Sequence, residues 1–262
     1  MIDPIAFHVL GLSIRWYGIA WAIAFAIMLY IPSHRVKQSK SLSVIWQDLV
    51  CNTLLACVVG GRLGEMLFYQ YARMLSDPWI IIRIYEGGMS FHGALLAGVL
   101  VFYFTAKRHR INFWDIADGA LIHLPCALGI VRVANYINGE LCGRVTSGPF
   151  GVLVDGCGGY LVFPSQLYEA MLEGGVLWLF LYGISLYEPR RGIISSAFIV
   201  GYASMRLLVE VYFRAPTYEL TSYLSTGALM SIVMLAAGLL VTAIAASHTH
   251  DECQGNKAKS SP

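Results

Sequence analysis

Charge is what this sequence has least of. Lys, Arg, Asp and Glu together make 13% of its 262 residues, against about 25% in soluble domains. A soluble fold, whose surface is wetted largely by such residues, is excluded. The net charge is only +2, and the basic residues are scattered among expected loops rather than striped along one face, so no nucleic-acid partner is expected. The six cysteines, at 51, 57, 126, 142, 157 and 253, show neither CxxC spacing nor a His pattern. A metal site is therefore not expected, and Cys51, Cys57 and Cys126, which stand in apolar runs, read as small apolar fillers. The opening stretch MIDPIAFHVLGLS has no basic residue ahead of its apolar part and no small-residue cleavage site, so it is expected to persist rather than to be removed as a signal peptide. No repeat is visible at any fixed period.

Long apolar runs are what the sequence has in place of charge. Hydrophobic residues make 57% of the chain, and runs near the ~20 residues that a helix needs to cross a bilayer recur along it. The expected fold is an all-α polytopic membrane protein with seven spans, near Ser13–Ile31, Asp48–Tyr71, Gly88–Ala106, Asp115–Ile137, Pro164–Tyr187, Ile193–Tyr212 and Thr221–Ala246. One catalytic domain over 1–247 is expected, with a polar tail over 248–262. Basic residues set the orientation. One set of loops carries Arg35, Lys37, Lys40, Lys107, Arg108, Arg110, Arg190, Arg191, Lys257 and Lys259, whereas the other carries Arg73, Arg83, Arg144 and Arg214. The N-terminus is therefore expected outside and the tail in the cytoplasm.

Polar residues on this map gather at one depth. Arg15 and Tyr17 open the first span at its outer end. Arg62 lies about 14 residues into the second, roughly 21 Å up a helix. His92 is within a turn of the outer end of the third. Arg132, Asn135, Asn138 and Glu140 lie where the fourth surfaces, Gln166, Tyr168 and Glu169 begin the fifth, and Arg206 and Glu210 occupy the outer half of the sixth. A transporter needs polar groups at the midplane, often in two related halves. A one-sided, outward-facing polar cavity fits an enzyme acting on a lipid headgroup, with an outward-facing lipid-binding or scaffold protein as the alternative.

The most concentrated chemistry is RVANYINGELCGR, Arg132 to Arg144. A guanidinium at that depth needs a partner or a task. Arg132 has no acidic residue three or four positions away in its helix, so its partner comes from another span or from a ligand, a phosphate being the natural anion for a forked guanidinium. Asn135 and Asn138 share its face and read either as helix glue or as ligand contacts. Arg206 and Glu210, four apart, read as a structural ion pair or as site residues. His92, in GGMSFHG, is either a structural histidine or a base able to take a thiol proton near neutral pH. Arg62 and Glu65 in GGRLGEMLFY read as a self-neutralising pair, and Gly60, Gly61 and Gly64 permit close helix approach. Asp115 and Asp118 in the first turn of the fourth span are explained by the helix dipole.

Taken together, IRWYG (Ile14 to Gly18), GGRLG (Gly60 to Gly64), GGMSFHG (Gly87 to Gly93), RVANYINGELCGR, PSQLYE (Pro164 to Glu169) and the Arg206/Glu210 pair resemble the bacterial prolipoprotein diacylglyceryl transferase family over about Arg15 to Pro216. The resemblance implies a multi-pass protein of the bacterial cytoplasmic (inner) membrane with no cofactor or metal. Its partners would be the bilayer, phosphatidylglycerol and prelipoprotein signal peptides carrying a lipobox cysteine. The implied reaction moves the diacylglyceryl group to that cysteine thiol, making a thioether and releasing glycerol 1-phosphate. The matching functional residues are Tyr17, His92, Arg132, Asn135, Glu140, Gly143, Arg206 and Glu210. Of these, Tyr17, His92, Arg132, Glu140, Arg206 and Glu210 are the expected catalytic set. Arg62, Arg132, Asn135, Asn138, Gly143, Arg144, Gln166 and Tyr168 are the expected substrate-binding set.

Departures from the family pattern mark a divergent member. Val131 and Ala134 replace glycines, Cys142 a tryptophan, Phe163 a histidine and Ala203 a glycine. One residue is inserted between Glu210 and Arg214, and the outer loop from Val145 to Phe163 is short. The alternative that these departures raise is a catalytically inactive relative that binds lipid or lipoprotein. Cys142 and Cys157 share that outer loop and are either free thiols or a disulfide worth ~3 kcal/mol by loop entropy.

Overall fold

The computed structural model describes residues 2–9, 11–84, 87–154, 157–215, 219–221 and 224–259. Its long helices, in chain order, are α1 (Trp16–Tyr30), α2 (Lys40–Phe68), α3 (Phe91–His109), α4 (Phe113–Leu121), α5 (Leu124–Ile137), α6 (Ser165–Ser185), α7 (Ile193–Tyr212) and α8 (Thr226–Lys259). Among the described residues, four helical stretches, Trp16–Gln38, Lys40–Phe68, Ser165–Ser185 and Ile193–Tyr212, are long and apolar enough to cross a bilayer. The pair α4 and α5, bent by 42°, makes a fifth if it is one span. The protein is thus a helical membrane protein. The first helix begins three residues later than expected because Leu12–Arg15 pairs with Ile5–Val9 as a hairpin around Gly11, whose φ of 82° suits glycine. The fourth expected span is interrupted before Pro125, which lacks the N–H that a continuous helix would use there. Helix α8 runs to Lys259, through most of the stretch expected as a tail.

Contacts divide the chain into two compact units. In Arg35–Ala117, α2 and α3 pack through small residues. A Cβ on Gly64 would stand 3.0 Å from both Gly93 Cα and Ser90 Cβ, so glycine there sets the spacing of the helices. Ser90 links them further: its N–H donates to Gly61 O at 2.8 Å, and its Oγ caps α3 by accepting from Gly93 N.

The other unit comprises Met1–His34 and Asp118–Pro262. Here α1 lies against α5, with Ala24 on Ala127 and Val131 and the Tyr17 ring alongside. A core of Ile122, Leu177, Leu181, Ile194 and Phe198 joins α6 and α7 to the start of α5. Asp118 does more than balance its own helix dipole. Fully buried, it accepts from Gly192 N at 2.8 Å, Ser195 N at 2.9 Å and Ser195 Oγ at 2.6 Å, and so caps α7 from another helix.

Candidate active site

Two glycines bring the site together. On α5, Gly129 lies so close to Gly174 of α6 that a Cβ on Gly174 would stand 2.7 Å from Gly129 Cα. Gly174 belongs to a π-helical turn, Ala170–Val176, inside α6, a distortion that recurs at functional sites. Arg132, one turn beyond Gly129, therefore faces Glu169 and Glu173 on the preceding part of α6.

Glu169 is fully buried and gathers three guanidinium groups. Arg132 Nε lies 2.9 Å from its Oε2, Arg206 Nη1 2.6 Å and Arg214 Nη1 2.5 Å from its Oε1. Arg206 also reaches Glu173 at 3.5 Å and Glu210 at 3.1 Å. The Tyr202 hydroxyl interacts with both Glu173 and Arg132. Arg132's partner is thus supplied by another helix. Because Glu169 takes the Nε, no carboxylate among the described residues claims the outer Nη edge of Arg132, whose side chain remains 25% exposed. Arg206 and Glu210 do form an ion pair, but as part of this network. Glu210 has both oxygens engaged, Oε1 by Ser225 Oγ at 3.0 Å and Oε2 by Arg206.

The loop that follows α5 builds a second cluster. Asn135 Nδ2 and Asn138 Nδ2 donate to the two oxygens of Glu140 at 3.1 and 3.2 Å. Gln166 Nε2 donates to the Glu140 carbonyl, and Ser165 Oγ to the Leu141 carbonyl at 3.1 Å. Leu141 has a φ of 62°, costly for a residue with a Cβ, and these two bonds from the start of α6 hold it there. The asparagines and Gln166, expected to contact substrate, orient this loop through those same nitrogens. Gly143 sits where a Cβ would be 2.8 Å from the Phe213 carbonyl oxygen, so its role is close backbone approach. Arg144 N donates to that same oxygen at 2.8 Å, and its guanidinium reaches the Glu210 carbonyl at 3.4 Å. Cys142 and Cys157 form a disulfide, Cα to Cα 5.7 Å, that ties the motif to the segment carrying the hairpin of Val152–Leu153 and Leu161–Val162. Tyr168 stacks on Phe213 at 4.1 Å, with Phe163 edge-on to Phe213 at 5.5 Å. The phenylalanine at 163 thus completes an aromatic cluster.

Arg62 requires a correction. Expected among the substrate-binding residues, it is 3% exposed and directs all five N–H groups at main-chain carbonyls of its own unit. Nε meets Ile81, Nη1 meets Gly87 and Gly88, and Nη2 meets Ile80 and Arg83. Nor does it pair with Glu65, which accepts from Gln70 Nε2 at 3.1 Å. Its task is to hold the loop that leads into α3, and no donor is left for a ligand. His92 stands exposed in the first turn of α3, its ring edge-on to Phe91 at 5.7 Å. Tyr17 lies in the α1–α5 contact.

Sequence reasoning missed Glu169 as the centre of the network, together with Glu173, Tyr202 and Arg214. A signal was present for two of them: Glu169 closes PSQLYE, and Glu173 follows four residues later on the same helix face. In the sequence Arg214 reads as a loop cation.

Comparison with known proteins fits this arrangement. A family model described as prolipoprotein diacylglyceryl transferase matches residues 4–244. Proteins named phosphatidylglycerol--prolipoprotein diacylglyceryl transferase from Glaesserella parasuis serovar 5 and Geobacter sulfurreducens are 40% and 38% identical, each over 93% of this chain and over 93% and 95% of their own. The protein of that name from Aeromonas salmonicida is 35% identical over 98% of this chain and 94% of its own. With its motifs folded around a buried arginine–glutamate network, the chain belongs to the prolipoprotein diacylglyceryl transferase family.

Proposed function

We propose that this chain transfers the diacylglyceryl group of phosphatidylglycerol to the lipobox cysteine thiol of a prelipoprotein. The sulfur forms a bond to the diacylglyceryl carbon, the carbon–oxygen bond to phosphate breaks, and glycerol 1-phosphate leaves with the electron pair. The observation that carries this reading is the outer edge of Arg132, held in place through Nε by Glu169 and otherwise unclaimed by a carboxylate. A planar fork fixed in this way suits a phosphodiester. Arg206, braced by three glutamates, completes the phosphate clamp and stabilises the charge that grows on the departing oxygen.

The thiol proton must go to a base. Glu140 and Glu210 have both oxygens engaged, which favours His92, whose ring is exposed. Its assignment rests on the GGMSFHG motif. A thiol of pKa about 8.5 is only partly ionised near pH 7, so a base raises the reactive fraction. Tyr17 is retained in the catalytic set on its motif. For Asn135, Asn138, Gly143, Arg144, Gln166 and Tyr168 we infer that they shape the headgroup pocket through the loop they hold.

We infer further that the chain crosses the bacterial cytoplasmic membrane seven times, N-terminus out and C-terminus in, and that the arginine network opens outward. The test is purified protein with phosphatidylglycerol and a lipobox peptide, followed by mass spectrometry of the peptide and by glycerol 1-phosphate release. Depletion of a host's resident transferase, with rescue by this chain, is the cellular counterpart. A peptide that stays unmodified while phosphatidylglycerol still binds would make the chain a non-catalytic relative.

A further inference from the structure

Unit Arg35–Ala117 carries an open groove of about 540 Å³ between α2 and α3, at the end of α3 opposite His92, with Asp48, Asn52, Arg108 and His109 exposed along it. Its polar lining is Asp48, Asn52, Thr105, Arg108 and His109. None of these five side chains has a hydrogen-bond or ion-pair partner among the described residues, and Asp48 and Arg108 share the groove without reaching each other. An acid and a base left apart in one groove, on a protein with so few charges to place, call for a ligand with both signs. The rest of the lining, Ile45, Leu49, Val101 and Phe104, is apolar and continues the groove along the helices.

The end of α3 prepares the cationic side. Arg110 caps the helix in the left-handed conformation with a φ of 54°, and Ile111 N donates back to Ala106 O at 3.0 Å. Lys107, Arg108 and His109 thus occupy the last turn, where unpaired carbonyls favour cations. Lys107 turns away to lie over the Tyr103 ring at 5.5 Å, which leaves Arg108 and His109 to the groove.

We propose that this groove is a binding site for a zwitterionic aminophospholipid, a phosphatidylethanolamine. Its phosphate sits on Arg108 and His109, its primary ammonium donates to Asp48 and Asn52, and the first part of an acyl chain lies on Ile45, Leu49, Val101 and Phe104. Asp48 is the selective element. It repels a headgroup that is only anionic, and it rewards an ammonium with N–H donors over a quaternary one that has none. In the orientation proposed above the lipid belongs to the cytoplasmic leaflet; the binding itself does not depend on that reading or on the transferase activity.

The experiment is titration of delipidated protein in detergent with short-chain phosphatidylethanolamine, phosphatidylcholine and phosphatidylglycerol, read by native mass spectrometry. It compares wild type with Asp48→Asn and Arg108→Gln, with the thermal midpoint of each lipid-free variant as a check on folding. Each substitution should weaken phosphatidylethanolamine binding about tenfold, the loss of one charge-assisted contact. Phosphatidylglycerol binding and peptide lipidation should stay at the wild-type level. In wild type, phosphatidylcholine should bind about tenfold more weakly than phosphatidylethanolamine, since its quaternary ammonium has no N–H to offer Asp48. Unchanged phosphatidylethanolamine binding in both folded variants overturns the site. An equal loss of phosphatidylglycerol and phosphatidylethanolamine in Arg108→Gln, with none in Asp48→Asn, overturns the zwitterionic assignment and leaves a generic anion patch.

Discussion

At the residue scale the question is what an arginine does that a lysine cannot. Arg132 gives one nitrogen to Glu169, meets the Tyr202 hydroxyl and has no carboxylate of the described residues on its outer edge, while Arg206 spans Glu169, Glu173 and Glu210. Lysine carries the charge but has a single nitrogen, so it satisfies the glutamate or the phosphate, not both. Arg132→Lys and Arg206→Lys should each lower kcat about 100-fold or more, the cost of removing a preorganised donor from a developing oxyanion. The thermal midpoint in detergent should stay close to wild type. Near-normal turnover in both would remove the phosphate-clamp role.

His92 separates from the arginines by its pH behaviour. His92→Asn should reduce kcat more than it raises the KM for lipid, and raising the assay pH toward the thiol pKa of about 8.5 should recover part of the loss as the substrate ionises unaided. A defect that is flat with pH would leave His92 a positioning role only. Arg132 was legible in the sequence because a lone guanidinium in an apolar run has no bland explanation. Glu169 was not, because a carboxylate near a span end looks ordinary until the π turn and the Gly129–Gly174 contact place it beneath three arginines.

At the scale of elements, the helices were readable from apolar run length, and their breaks were not. The interruption between α4 and α5 falls at Pro125, which the surrounding apolar letters hide. The π turn in α6 leaves no sequence mark beyond Gly174 and Gly175. Asp118 shows the same limit. From sequence it is a first-turn acid, whereas in the fold it holds the start of α7 with three accepted hydrogen bonds. Asp118→Ala leaves those donors buried and unpaired and should cost about 3 kcal/mol or more, seen as faster thermal inactivation in detergent. Inactivation at the wild-type rate would mean that water replaces the carboxylate. Cys142 and Cys157, either thiols or a bridge by sequence, form the bridge. Under denaturing conditions reduction should add two maleimide labels per chain. The double serine variant should lose up to ~3 kcal/mol of stability by loop entropy; equal labelling with and without reductant would remove the bridge.

At the scale of the whole molecule, the basic residues support the orientation proposed above. Lys107 and Arg108 lie in the last turn of α3 and Arg110 caps it, and Arg190 and Arg191 precede α7, whereas the loop that holds the disulfide carries little beyond Arg144. Clustered Lys and Arg stay on the cytoplasmic side because moving them across an energised membrane is costly. The disulfide points the same way, since such bridges persist in oxidising compartments and a loop in the cytosol would be kept reduced. Two unrelated signals, charge and redox, thus support the proposed orientation, in which the Arg132–Arg144 motif is outside, on the side where an exported lipobox cysteine would arrive. Reporter fusions after Lys107 and after Lys257 should read cytoplasmic, and one near Gly151 should read external. A cytoplasmic reading at Gly151 would place the arginine network in the wrong leaflet for an exported substrate and would overturn the orientation together with the outward-facing site built on it.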